Sequence, residues 1–201
     1  TQYKHYFINR FADLMNTNYR PERLIAVENR YFNLTAPEMP NEYQRWGDAG
    51  NVPGQMDYFY NNHMTFQSEL LCRTEQVRDH IQNRFALPQQ VDVTLDVLPA
   101  GSGQIHISTV QPTEYPWTGV YFDGVPVKIE AIANPGFDFA YWENSSLITD
   151  ILDSVWEGNI SLNTAQFTAH FQSNVNVNEE EETVFKIYPS PAQDYIQVVA
   201  E

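Results

Sequence analysis

Cysteine is almost absent: the 201 residues hold one, Cys72, so no internal disulfide can form and the fold must rely on packing. A nucleophilic role for Cys72 would need an activating base, and no residue pattern supplies one, so it reads as a small apolar filler on a helix. Long apolar runs are absent too, with no stretch of about 18 residues that could cross a bilayer as a helix. The opening Thr1-Gln2-Tyr3 has neither the basic start nor the apolar core of a signal peptide. Basic residues are scarce and unevenly spread. Nine of the 11 Lys and Arg lie in residues 1–90 beside ten acidic residues, whereas residues 91–201 hold two basic and sixteen acidic ones. The second half therefore carries almost all of the net charge of −15, which excludes phosphate backbones and anionic lipid as partners of that half. So uneven a split, in a chain with 42% hydrophobic residues, also predicts two cores rather than one.

Patterns that carry chemistry are equally sparse. His5, His63, His80, His106 and His170 show no paired ligand spacing, which argues against zinc. Asp79-His80 suggests a dyad, but adjacent helical residues point about 100° apart, so a charged surface pair is the simpler reading. Asp92 and Asp96 share one strand face, as paired carboxylates or as the polar half of any alternating strand. Gly101-Ser102-Gly103 lacks the Gly-Lys and helix of a phosphate loop. The glutamates of residues 179–182 lack the staggered ligands and glycine turn of a calcium loop. Tyr115, Trp117 and Tyr121 are the candidate surface-binding residues, an aromatic platform for sugar or peptide; the alternative is that they are turn and core aromatics. No catalytic, cofactor or metal residue is assigned.

Residues 1–88 read as helical. Tyr6, Phe7, Phe11, Leu14 and Met15 recur at spacings of three and four before Asn16-Thr17-Asn18 ends the pattern. Pro21 opens a second helix carrying Leu24, Ile25, Val27, Tyr31 and Phe32. Pro37 and Pro40 bracket a break, a short helix runs through Tyr43 to Trp46, and residues 47–54 are a loop. From Met56 to Phe85 neither Pro nor Gly interrupts a long helix or bent pair. The run Tyr6-Phe7-Ile8-Asn9-Arg10-Phe11-Ala12-Asp13-Leu14-Met15-Asn16-Thr17, with Pro21-Glu22, Pro37-Glu38-Met39-Pro40, Arg45-Trp46 and Arg78-Asp79-His80-Ile81, resembles the C-terminal part of the spore coat protein H family. That resemblance implies an atypical protein-kinase fold whose nucleotide and metal residues lie upstream. Phosphate transfer from ATP with magnesium or manganese is thus expected of a longer parent, and none of this fragment.

Residues 91–172 switch to alternation. Val91, Val93, Leu95 and Val97 share one strand face; Ile105 and Ile107, then Val125, Val127 and Ile129, then Phe137, Phe139 and Tyr141 repeat the pattern, and a last strand spans Ala165 to Phe171. Within Ser145–Glu157, the spacing of Ile148, Ile151, Leu152, Val155 and Trp156 predicts a short amphipathic helix. Gly103-Gln104-Ile105, Phe122-Asp123-Gly124-Val125-Pro126-Val127, Ala133-Asn134-Pro135-Gly136-Phe137, Trp142 and Phe167-Thr168-Ala169-His170-Phe171 resemble a divergent internalin B-type repeat. The resemblance implies a small β-grasp-like module serving as spacer or adhesive unit.

Residues 173–183 read as an acidic linker. Val184 to Glu201, with Phe185, Ile187, Tyr188 and Pro189-Ser190-Pro191-Ala192, resemble the opening of the C-terminal sorting domain of the type IX secretion systems of Bacteroidetes. This implies a secreted or cell-surface location, that secretion machinery as partner, and a parent chain extending beyond both ends. The expectation is an α+β chain: a helical segment (1–88), a β-rich module (91–172), a linker (173–183) and the start of a sorting domain (184–201). Its function is expected to be that of a non-catalytic fragment of a phosphate-transferring parent or, alternatively, of a surface module binding glycan or protein.

Overall fold

The computed structural model describes residues 2–143 and 147–174 with their side chains, and the backbone of residues 185–188 and 197–200. The class is α+β, with helices first. Helix α1 (Gln2–Asn16) buries Ile8, Ala12 and Met15, the i, i+4, i+7 stripe of one face. The stripe expected through Tyr6 is therefore rotated: Phe7 and Phe11 lie at the margin of the core, and Tyr6 is exposed. Helix α2 (Pro21–Thr35) starts with its proline at the first position, where a missing N–H costs nothing. A 3-10 turn (Ala36–Glu38) and a short helix α3 (Met39–Trp46) follow. Helix α4 (Val52–Phe85) is one uninterrupted helix of 34 residues, so the bent pair is not formed. Asn51 caps its start by accepting from the Gly54 N–H at 3.3 Å, and the helix takes in the last three residues of the expected loop.

The β-rich part is two sheets. In the first, β3 (Trp117–Phe122), β1 (Gln90–Leu98), β7 (Thr164–Ser173) and β5 (Phe137–Glu143) lie in that order, with β1 and β7 parallel at the centre. In the second, β4 (Val127–Ala133) pairs antiparallel with both β2 (Gly103–Ile107) and β6 (Val155–Gly158). Alternation works as expected on β1, where Val91, Val93, Leu95 and Val97 point inward, and the inner residues Ile105, Ile107, Val127 and Ile129 of the second sheet complete the sandwich. On the tail backbone, β8 (Phe185–Tyr188) pairs antiparallel with β9 (Gln197–Ala200). The expected Pro189–Ala192 turn and residues 175–183 of the linker lie outside the described residues.

The helix expected within Ser145–Glu157 is corrected. Residues 147–154 are turn, bend and irregular backbone, and Val155 and Trp156 enter strand β6 opposite Glu130 and Ile129. The reason is local chemistry. The carboxylates of Asp150 and Asp153 accept from the N–H groups of Leu152 at 3.1 Å and Val155 at 2.9 Å, Asx-type bonds that compete with helix. Meanwhile β4 has an edge that β6 can satisfy.

Two cores were expected, but the buried hydrophobic residues gather in one cluster, which joins Ile8, Ala12 and Met15 of α1 and Ile81 of α4 to the sandwich. Helices α2 and α3 contribute no buried residue to it. Helix α1 closes the open side of the sandwich along edge strand β3. There Asn16 imitates a neighbouring strand: its Nδ2 donates to the Val120 carbonyl at 2.9 Å and its Oδ1 accepts from the Val120 N–H at 2.9 Å. A side-chain amide thus protects an edge that would otherwise template aggregation.

Candidate functional site

The aromatic trio singled out in the sequence does not form a platform. Trp117, Gly119 and Tyr121 stand opposite Leu95, Val93 and Val91, so alternation turns all three toward the core. Tyr121 is fully buried, and its hydroxyl donates to Asp13 Oδ1 at 2.8 Å. Burial, reinforced by the Asp13 carboxylate, holds that phenol well above its usual value of 10.0. Trp117 is half-buried, with its ring laid over Gly119, where a Cβ would collide with the indole. Tyr115 is half-buried and its hydroxyl accepts from the Ile105 N–H at 2.6 Å; burial raises its pKa, against the effect of that backbone contact. These residues serve packing, the alternative the sequence left open.

The centre of that packing is Asp13, a fully buried carboxylate. Its Oδ2 accepts from Ser108 Oγ at 2.8 Å, Thr109 N at 3.0 Å and Thr109 Oγ1 at 2.7 Å, and Oδ1 takes the Tyr121 hydroxyl. Ser108 holds a left-handed φ of 53° beside it. Four donors replace the water lost on burial, so the group ties α1 to the loop after β2 and to β3.

The solvated face of the four-stranded sheet is organised differently. Opposite neighbours across it are Thr118, Thr94 and Gln166 in one row, Asp96, the buried Thr168 and Glu143 in the next, and Leu98, His170 and Tyr141 in the third. Strict alternation would place Tyr141 inward with Phe137 and Phe139. A bulge between Phe139 and Tyr141 shifts the register, so that Phe139 opposes Phe171 but Tyr141 opposes His170 and Trp142 opposes Ala169. Trp142 takes the core place and Tyr141 is re-aimed to the solvent. Its ring lies nearly parallel to that of His170, 6° between planes and 4.5 Å between centroids, and His170 Nε2 meets Glu143 Oε2 at 2.6 Å. An oriented, exposed aromatic ring is thus flanked by a carboxylate and rows of hydroxyl and amide groups. Sequence reading missed it because the bulge inverts the face; the one sequence signal is the aromatic pair Tyr141-Trp142, which a strand cannot bury together on one side.

Other sequence candidates stay apart. Asp92 and Asp96 do share this outer face. Asp79 accepts from Gln90 Nε2 at 2.8 Å, while His80 is exposed. Cys72 is exposed on α4 rather than filling an apolar gap. His63, on α4, meets Glu28 of α2 at 2.6 Å and stacks on Phe32 at 3.6 Å between centroids, joining the two helices. Among the described residues no group of three or more His, Cys, Asp or Glu is placed to hold a metal ion, and no helix is long and apolar enough to cross a membrane. No family model, curated protein or solved structure matches the chain.

Proposed function

We propose that this chain is a cell-surface interaction module that is not itself catalytic and that binds glycan on the outer face of the four-stranded sheet. The carrying observation is the bulge that turns Tyr141 outward and stacks it on His170 beside Glu143. A sugar ring offers an apolar C–H face for stacking and an equatorial belt of hydroxyls for hydrogen bonding. Tyr141 meets the first demand, and Glu143, Asp96, Thr94 and Gln166 meet the second. Presentation at the surface, delivered by a type IX secretion machinery that reads residues 184–201, belongs to the same proposal.

The test is retention on immobilised neutral polysaccharides in affinity electrophoresis. Wild-type protein is expected to be retarded by at least one of them, and Tyr141→Ala to lose roughly tenfold in affinity, the scale of one aromatic stacking contact. Tyr121→Phe, in the core, is expected to keep the retardation. Equal retardation of Tyr141→Ala and wild type would sink the reading.

A second reading has its own observation. The helices leave large apolar side chains exposed, among them Tyr31, Leu34, Met64, Phe66 and Leu71, as helices do that pack against further structure. This favours a parent of the spore coat protein H type in which phosphate transfer from ATP, with magnesium or manganese, is carried by other residues. Transfer of labelled phosphate by a form extended at its N-terminus, and not by this chain, is the expected outcome; activity in neither removes the kinase reading.

A further inference from the structure

One end of the outer sheet face runs into a cleft of about 620 Å³, where the α1–α2 turn and the side of α4 stand over β1 and β3. Asn16, Arg20, Thr74 and Arg78 form its walls, with Asp92 and Thr118 as its floor. Burial lowers the pKa of the Arg78 guanidinium; the Glu75 carboxylate opposes that shift, the neighbouring Arg20 adds to it and Asp92 opposes it. Such a pair normally recruits carboxylates. Here, among the described residues, neither guanidinium is in an ion pair.

Their hydrogen bonding is also incomplete. Among the described residues Arg20 gives one bond, to the Thr118 carbonyl at 2.5 Å, and Arg78 gives one, to Asn16 Oδ1 at 3.0 Å, while Arg78 Nε is buried with no partner there. Each guanidinium has five N–H donors, so further donors remain without a protein partner among the described residues. A third positive element meets them: Arg20 and Pro21 begin helix α2, whose N-terminus has no side-chain cap, and the uncapped N–H groups of a helix start attract negative charge. Glu22, Glu75 and Asp92 edge the same cleft without pairing to either arginine. These three carboxylates outnumber the two arginines, so the attraction for a ligand lies in the directed N–H donors and not in net charge, and a polyanion is repelled by the rim and by the net charge of −15.

We propose that this cleft takes the single carboxylate of an acidic sugar residue, a uronic acid, within the glycan that lies on the outer face. The inference rests on the glycan reading, because its floor residues Asp92 and Thr118 belong to that face; it adds the ligand's charge class. Guanidinium and carboxylate match as a planar, two-bonded pair. The sheet face then supplies hydroxyl contacts to the next sugars along the row of Thr118, Thr94 and Gln166.

Amide and side-chain NMR titration of the whole protein with sodium glucuronate, with glucose and with inorganic phosphate tests the assignment. Glucuronate is expected to move the Val120 amide and Arg78 side-chain signals, and glucose at equal concentration to leave them in place. Arg20→Gln is expected to weaken glucuronate at least tenfold, whereas Glu75→Gln, which removes a rim charge without touching a guanidinium bond, should tighten it about threefold. A structural role for the arginines alone would give no tightening. Equal response to glucose and glucuronate, unchanged binding by Arg20→Gln, or tighter binding of phosphate than of glucuronate would each overturn it. The two readings fail separately: a neutral oligosaccharide that depends on Tyr141 but not on Arg20 keeps the sheet-face reading while the cleft falls, and glucuronate binding in the cleft with no neutral glycan on the sheet does the reverse.

Discussion

Asp13 shows how much one side chain can decide. A buried carboxylate with no cation paired to it among the described residues is tolerable because four donors surround it. Asp13→Ala strands the Tyr121 hydroxyl in the core and releases Thr109 at the surface from its carboxylate partner, and a loss of about 1–3 kcal/mol in urea unfolding is expected. The Tyr121 phenol gives a pH signature. Its folded pKa is raised above 10.0, so the folded state keeps the proton where the unfolded chain releases it. This stability is fully present below pH 10 and is lost as pH climbs toward the folded value. Thermal melts should therefore show stability falling above about pH 10, less steeply in Tyr121→Phe; a shallower slope remains because Tyr115 is shifted in the same direction. An unchanged slope in the variant would mean that the phenol is not the titrating group. None of this was legible in the sequence, where Asp13 and Asn16 sit in a helical run as ordinary polar residues and only the distant β3 makes them interior.

Elements divide into those whose sequence pattern was sufficient and those rewritten by a partner. Strand β1 needed nothing beyond alternation. Ile148, Ile151, Leu152, Val155 and Trp156 have helical spacing, yet the free edge of β4 and two local aspartates outweigh that weak preference and draw Val155 and Trp156 into strand β6. The junction of α1 with β3 depends on Asn16: replacing it with Ala leaves the Val120 N–H and carbonyl unpaired, and about 2 kcal/mol should be lost, with faster amide exchange at Val120. The hairpin of α2 and α4 is weaker by construction. No α2 residue is buried, and the pair is joined by His63 with Glu28 and by Gln67 donating to Glu28 at 2.8 Å and Asn29 at 2.7 Å. Glu28→Ala should therefore raise amide exchange throughout α2 while barely changing global unfolding, since a region with few buried contacts opens independently. An equal rise in exchange in the sheets, or an equal loss of global stability, would contradict that division.

At the scale of the molecule, helix α1 and the β sandwich are one folding unit despite their opposite sequence character. A protein beginning at Gln89 loses Ile8, Ala12 and Met15 from the core and Asn16 from the β3 edge. It is expected to lack the amide dispersion of a folded sandwich, whereas a chain keeping residues 1–174 should retain it. The amino-acid sequence by itself determined the class, the helix-then-strand order, most strand faces and the charge asymmetry, because these follow from periodicity and composition within a dozen residues. Tertiary structure alone decided that one core replaces two, that Tyr121 turns inward and Tyr141 outward, and that Arg20 and Arg78 meet. Those outcomes rest on a single-residue bulge in β5 and on pairings between residues as many as 108 positions apart. Local pattern carries no information about either, since a one-residue slip inverts every face that follows it.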